Sequence, residues 1–224
     1  AVTIKTPEQL GKMRAAGAIL AETERLIREQ IRPGITTQEL DDLAEKYIRS
    51  RGAIPSFKGY GGFPASLCIS VNEEIVHGFP EKRKLLSGDI VSVDMGCYID
   101  GFHADMARTY GVGDVSPEAE KLIRVTKESF FEGLRFAKAG CHLHQIGDAI
   151  EKYVKENGFS VVRDYVGHGI GRALHEDPSV YNYKVPGRGI ELVAGMALAI
   201  EPMVTAGDWH VRLLKNGWTA VTKD

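Results

Sequence analysis

Carboxylates and histidines recur along this chain where apolar residues dominate, and buried acids do chemistry only when something balances their charge. Asp94 follows Ile90, Val91 and Val93 in an apolar run. Asp105 comes after Asp100-Gly101, a dipeptide suited to a two-residue type I′ hairpin turn. With 100 and 101 as the turn, Asp105 faces Gly96 and stands diagonal to Asp94 on one sheet face. Diagonal neighbours have Cα atoms about 7–8 Å apart, within reach of convergent carboxylates. Two acids on one buried face repel unless a proton or cation separates them. The plain alternative is a solvated pair of ordinary Asp residues, which the core-type neighbours of Asp94 weigh against.

His168 sits in Gly167-His168-Gly169-Ile170-Gly171, directly after the apolar Tyr165-Val166. Glycines on both sides remove side chains that would crowd the imidazole. A second imidazole follows in His175-Glu176-Asp177-Pro178, and Glu201-Pro202 ends a further apolar run. A lone His beside a strand is ordinarily a hydrogen-bonded core residue. Imidazole together with several carboxylates is instead the donor set expected for Mn, Fe, Co or Zn. Convergent carboxylates point to two divalent ions about 3.5–4 Å apart. His77, between a short apolar strand and a turn, is a plausible cleft residue. His103 is placed on the opposite parity to Asp94's partners if no bulge intervenes, and it receives no role. His142 and His144 read as capping or surface residues, and His210 as exposed.

Other chemistries lack their signatures. There is no H-E-x-x-H, no G-x-S-x-G elbow, no Walker lysine and no zinc-finger spacing. Gly167–Gly171 reads G-x-G-x-G, without the opening helix and ribose-binding acid of a dinucleotide site. Three cysteines without a C-x-x-C pair argue against a disulfide framework and a thiolate zinc site. Cys68, inside an apolar run, reads as core packing.

The elements that must position these residues follow from pattern. Thr6 as N-cap, Pro7 at the first helical position and Gln9 completing a capping box open a helix that Pro33-Gly34 ends. A second helix is predicted over 37–51, then an irregular loop over 53–63 and strands at 67–71, 75–76, 90–95 and 98–109. Helices are predicted over 116–138 and 144–157, strands at 160–166 and 196–200, and a final hairpin within 209–221. The second half repeats the order of the first. Gly34 and Gly52 recur as Gly140 and Gly158, and Glu45-Lys46-Tyr47 recurs as Glu151-Lys152-Tyr153. Leu86-x-Gly88-x5-Asp94 matches Val193-x-Gly195-x5-Glu201, so each half presents a carboxylate six residues after a glycine, expected at a strand end. Coincidences near one offset indicate a duplicated unit with a pseudo-two-fold axis, bringing Asp94 and Glu201 to one cleft. Paired helices before short strands favour α+β over a doubly wound sheet.

Composition closes off other classes. The chain has 224 residues, 43% of them hydrophobic, and 28 Lys+Arg against 30 Asp+Glu, a net charge of −2. That is an ordinary globule with no basic excess for nucleic acid. No apolar run reaches the roughly 18–20 residues that span a bilayer, and residues 1–10 lack a secretory signal. No membrane association, a cytoplasmic location and a monomer are the expectations.

Taken together, Val91-Ser92-Val93-Asp94, Gly101-Phe102-His103-Ala104-Asp105, Gly167–Gly171, Leu174-His175-Glu176-Asp177-Pro178 and Ala199-Ile200-Glu201-Pro202-Met203 resemble the bacterial type I methionine aminopeptidases over about residues 3–224. The resemblance implies the pita-bread fold, a central antiparallel-rich sheet flanked by helices. It implies a single catalytic domain over 1–224, built of halves at about 1–110 and 111–224. The implied activity is metal-dependent removal of the initiator Met from nascent chains with a small second residue, by attack of a metal-bridging hydroxide on the first peptide bond. By motif, Asp94, Asp105, His168 and Glu201 would be ligands to two divalent ions (Co, Mn, Fe or Zn). His77 would contact the nitrogen after the scissile bond, His175 would polarise the scissile carbonyl, and Glu201 would also move the proton. Tyr60, Phe63, Cys68, Leu174 and Trp218 would form the Met pocket. Ribosome association is a further family expectation. The family's fifth ligand, a Glu, belongs to a last strand beyond 218–224, so the second metal is expected to bind weakly and turnover to be poor. The rival readings are an aminopeptidase P or prolidase-like peptidase, and a low-activity or non-catalytic member of the fold.

Overall fold

The computed structural model describes residues 1–207, 219–222 and the backbone of 211–213. Thr6 accepts from the Gln9 N–H and the Gln9 side chain accepts from the Thr6 N–H, so both halves of the predicted capping box start α1 (Pro7–Gln30). Thr36 caps α2 (Thr37–Ser50) through the Glu39 N–H. The chain then forms β1 (Ile54–Pro55), a 3-10 turn at Tyr60–Gly62, β2 (Leu67–Val71) and β3 (Glu74–Val76). The long hairpin of β4 (Ile90–Ile99) and β5 (Phe102–Gly111) follows. The second half opens with α3 (Pro117–Leu134) and α4 (His144–Glu156) and continues through β6 (Ser160–Val161), β7 (Gly167–Gly169) and β8 (Glu176–Val180). It ends with β9 (Leu198–Ala199), β10 (Val204–Thr205), β11 (Val211–Leu213) and β12 (Ala220–Thr222).

Among the described residues, the eight ladders between the named strands are all antiparallel and form four sheets, of which the largest joins β1, β4, β2 and β5. The β4–β5 register runs unbroken from Ile90↔Gly111 to Ile99↔Phe102, with Gly96 opposite Asp105 as the turn requires. Alternation then sorts the two faces of β4. Val91, Val93 and Met95 are buried against Leu20, Ile27, Leu40 and Ile48 of α1 and α2. Asp94 therefore points to the opposite face. It lies mid-strand rather than at a strand end, because pairing on both sides continues past it. In the second half Val125, Ile146, Ile150 and Val154 of α3 and α4 form the matching core with Val161 and Val180.

The repeat extends to the backbone. Gly34 and Gly140 have φ of 97° and 91°, Gly52 and Gly158 of 78° and 83°, and Gly88 and Gly195 of 97° and 98°. Positive φ at these points explains why glycine recurs there. Five elements differ from the sequence reading. The run predicted as a strand over 160–166 contributes only Ser160–Val161, and 196–200 only Leu198–Ala199. β7 and β8 were not expected as strands, and His168 lies within β7 rather than after a strand. Helix α3 stops at Leu134, where the Phe136 and Ala137 N–H groups turn back to the Gly133 and Leu134 carbonyls.

Candidate metal centre

Three antiparallel elements converge on one buried spot. β7 is threaded between β8 and β9, which fixes His168 opposite Ala199, two residues before Glu201. From the other half, β5 delivers Asp105. The result is a group of three donors, Asp105, His168 and Glu201, whose ligand atoms lie within 4.8 Å of one another. His168 Nε2 is 3.5 Å from both Asp105 Oδ2 and Glu201 Oε2. Asp94 stands beside the group, near enough to Asp105 and Glu201 to feel both charges.

Orientation of the imidazole is set from behind. His168 Nδ1 is 2.8 Å from the Gly169 carbonyl, an acceptor only, so Nδ1 carries the proton and donates it. Burial works against charging the ring, but Asp105 and Glu201 outweigh it and raise the His168 pKa. Without a cation Nε2 therefore tends to keep a proton toward the two carboxylates, and in the neutral ring it turns a lone pair there instead. Nε2, Asp105 Oδ1 and Asp94 Oδ1 are all sealed from solvent without a hydrogen-bond partner. Buried polar atoms are satisfied in nearly all cases. A lone pair facing carboxylates, with three orphaned atoms, is a donor set for a cation, and the backbone hydrogen bond behind the ring is the usual support of a metal-ligating histidine.

Proton affinities show the same crowding. Burial, with Asp105 and Glu201 nearby, holds the Asp94 carboxyl well above its usual range. Burial and Asp105 push Glu201 up to about 8. Asp105 is also raised by burial, but its neighbours His168 and Asp94 outweigh this and bring it below the ordinary value. One acid takes the negative charge and the others hold protons, as expected where cations would otherwise neutralise them.

Around this centre the other predicted residues are distributed unequally. The His175 ring packs against His168 with centroids 4.2 Å apart, and burial, followed by His168, lowers its pKa. Its Nδ1 is 3.0 Å from the Tyr60 hydroxyl. An open cleft of about 540 Å³ borders His168 and His175. Phe63, Cys68 and Leu174 share a buried apolar cluster with Phe57, Ala65 and Ile170. Cys68 lies opposite Asp94 in the β2–β4 ladder, and burial raises its thiol far above the ordinary range, so it packs as a neutral thiol. Tyr60 is half exposed at the rim rather than inside that cluster. His77, at φ 59°, meets Tyr165 edge to face at 5.7 Å. Trp218 and His210 lie outside the described residues.

His103 departs from the sequence reading, and of the two readings given for His144, capping or surface, the structure removes the first. With no bulge in the hairpin, His103 shares the face of Asp105 and Asp94, and its Nδ1 bonds to the Ser56 hydroxyl at 2.8 Å. His144 does not cap α4 but contacts the Gly187 carbonyl at 3.1 Å. Sequence reasoning also missed Glu176, whose carboxylate organises the bend before His175. Its only signal was its place in the His175-Glu176-Asp177-Pro178 motif.

Comparison with known proteins agrees with this geometry. The model of metallopeptidase family M24 matches residues 11–221. A methionine aminopeptidase from Clostridium perfringens is 57% identical over 223 residues, covering 100% of this chain and 90% of that protein. The crystal structure of methionine aminopeptidase from Rickettsia prowazekii superposes with a TM-score of 0.97 at 42% identity, covering 100% of this chain and 90% of that one. A prolidase from Pyrococcus furiosus shares the fold at a TM-score of 0.76 and 24% identity, covering 89% of this chain and 57% of its own.

Proposed function

The chain belongs to metallopeptidase family M24 and to its methionine aminopeptidases, and from that premise we propose how its residues divide the work of removing an N-terminal methionine. The family uses divalent metal. The observation that carries the reading is the buried Nε2 of His168, its lone pair directed by the Gly169 carbonyl behind it toward two carboxylates. Asp105, His168 and Glu201 would hold one ion, and Asp94 with Asp105 a second, drawn from Co, Mn, Fe or Zn. When bound, such ions supply Lewis acidity and an activated water.

The remaining steps belong to side chains. Glu201 accepts the proton of the attacking water on a carboxylate oxygen and passes it to the leaving nitrogen, which His77 contacts. The crowded site otherwise leaves a proton on Glu201, which bound ions would displace, and its carboxylate is then free to serve as the base. His175 stays neutral, because burial lowers its pKa. The Tyr60 hydroxyl lies 3.0 Å from Nδ1, and in the assigned role it donates there, so that the ring proton sits on Nε2 for donation to the scissile carbonyl oxygen. Phe63, Cys68 and Leu174 line the slot for the methionine side chain, an apolar volume that suits an unbranched thioether. Tyr60 closes the rim, and Trp218 is assigned to the same pocket. The 1–224 chain works as one catalytic domain, because Asp94 and Asp105 come from one half and His168 and Glu201 from the other. Its proposed setting is the cytoplasm, as a monomer acting on nascent chains at the ribosome, and no described helix is long and apolar enough to cross a membrane.

The prolidase-like alternative is weaker. Similarity at 24% identity supports the shared fold alone, against 57% to a methionine aminopeptidase. Release of Met from Met-Ala-Ser and from Met-Lys-Ser, with Mn²⁺ supplied anaerobically, tests the function. Cleavage of the small-residue peptide only, reduced by about 10²-fold or more in Glu201→Gln, is the expected result. Cleavage of an Ala-Pro peptide instead would favour the prolidase-like reading.

A further inference from the structure

The N-terminal segment before α1 reaches into the wall of the candidate site. Lys5 is 6% exposed, and its Nζ donates to Glu176 Oε1 at 2.8 Å and to Thr3 Oγ1 at 2.6 Å. Thr3 donates in turn to the same Glu176 oxygen at 2.9 Å. The other oxygen, Oε2, accepts from the Ala173 N–H at 3.1 Å. One carboxylate thus closes the bend over residues 171–175 and ties it to a segment far away in sequence. The lysine stem lies across Gly171, where an added Cβ would come within 2.6 Å of Lys5 Cε and 2.9 Å of Nζ. The Lys5 N–H also bonds to the Gly195 carbonyl at 2.8 Å, on the stretch that leads to Glu201.

His175 is the last residue of that bend and lies outside the ladders, with Glu176 beginning β8. Its backbone position is therefore set by its immediate neighbours. Burying an ammonium and a carboxylate is costly unless the pair is held in one geometry, and removing one partner leaves the other buried and uncompensated. Without Lys5 the Glu176 carboxylate keeps only the Thr3 hydroxyl on Oε1 as a side-chain partner, and its hold on the Ala173 N–H loosens.

Resting on the role given to His175 above, we propose that Lys5 is a positioning residue that acts through Glu176 to hold His175 in place for the reaction. Displacing a reacting group by about 1 Å costs on the order of 10²-fold in rate. A hydrogen-bond donor used chiefly in the transition state affects kcat more than KM.

The test is a double-variant cycle on the metal-loaded protein with Met-Ala-Ser as substrate, joined to a Mn²⁺ titration and a thermal unfolding curve. Lys5→Met is expected to lower kcat by roughly 10- to 10²-fold, with KM within about twofold and Mn²⁺ affinity unchanged. In a His175→Ala background the same substitution should have no further effect on kcat, because a residue that acts through His175 has nothing left to position. Equal losses in both backgrounds, or an unchanged kcat, would overturn the proposal. If Lys5→Met does not fold, Thr3→Val carries the same cycle, since it removes one hydrogen bond to Glu176 without stranding a charge. A several-fold loss of kcat confined to the wild-type background supports the proposal, and no loss overturns it. A His175→Ala variant that turns over like wild type would instead refute the role of His175, and the proposal with it.

Discussion

A neutral His175 offers a proton from Nε2 to a carbonyl oxygen only in the tautomer whose Nδ1 is free to accept, and a Tyr60 hydroxyl donating to Nδ1 supports that tautomer from the far side of the ring. That hydroxyl is 3.0 Å from Nδ1, while burial and the neighbouring His168 keep the ring from charging. Tyr60→Phe keeps the aromatic rim and deletes the donor. A hydrogen bond worth about 1 kcal/mol corresponds to roughly a fivefold change, so kcat for Met-Ala-Ser should fall about 5- to 10-fold with little change in KM. Steady-state kinetics would show this, and a loss confined to KM would mean that Tyr60 serves only the methionine pocket. Because His175 must be neutral, the acid limb of the rate profile should rise through a pKa below the ordinary histidine value.

At the scale of elements, Asp41 couples α2 to the strand that carries Cys68 into the buried apolar cluster. It is 4% exposed, and its Oδ1 accepts from the Ser66 and Leu67 N–H groups at 3.0 and 2.7 Å, immediately before Cys68. Burial, opposed by those two bonds, pushes its carboxyl up to about 6. A carboxyl whose folded pKa lies above its unfolded value near 4 binds protons more tightly in the folded state. Stability therefore falls as pH rises from about 4 to 6 and is flat above, so far as this group is concerned. Asp41→Asn preserves both hydrogen bonds and removes the charge. It should raise stability at pH 8 by on the order of 1–2 kcal/mol, after allowance for solvent screening, and erase the Asp41 share of the slope between pH 4 and 6. Urea unfolding across that range measures it, and lower stability at pH 8 would contradict it.

Elements were legible in the sequence in proportion to how much local chemistry specified them. The Asp100-Gly101 turn set the β4–β5 register residue by residue, and the Thr6 capping box set the start of α1. β7 and β8 were not legible, because Gly167-His168-Gly169 and a strand containing Pro178 show neither alternation nor β-branched enrichment. Their pairing is tertiary, with β7 supported on both sides by β8 and β9. The run over 160–166 looked like a strand by composition, yet only its first two residues enter a ladder, with β10, and Val162 adds a single bond to the Met203 carbonyl. At the site, residue types and motifs pointed to Asp105, His168 and Glu201. The hold of Lys5 on Glu176 leaves no local signature, since it joins a segment before the first helix to a bend in the other half.

Over the whole molecule, two cores pack their own helix pairs, and the candidate donor set lies where the halves meet. β4 and β5 bring acids from one half, β7 and the stretch after β9 bring His168 and Glu201 from the other, and neither half alone holds the donor set. The apolar slot is likewise shared, with Phe63 and Cys68 from the first half and Leu174 from the second. The paired glycines with matching positive φ are the backbone trace of that duplication. The central claim is that this shared, buried donor set binds the divalent ions on which methionine removal depends. Its most direct test is an anaerobic Mn²⁺ titration of the wild-type chain and of His168→Ala, with bound metal and Met release from Met-Ala-Ser read in the same samples. Activity should rise in step with occupancy in the wild type, and both should be lost in His168→Ala. Full Mn²⁺ binding by the variant, or Met release from a metal-free sample, would contradict it.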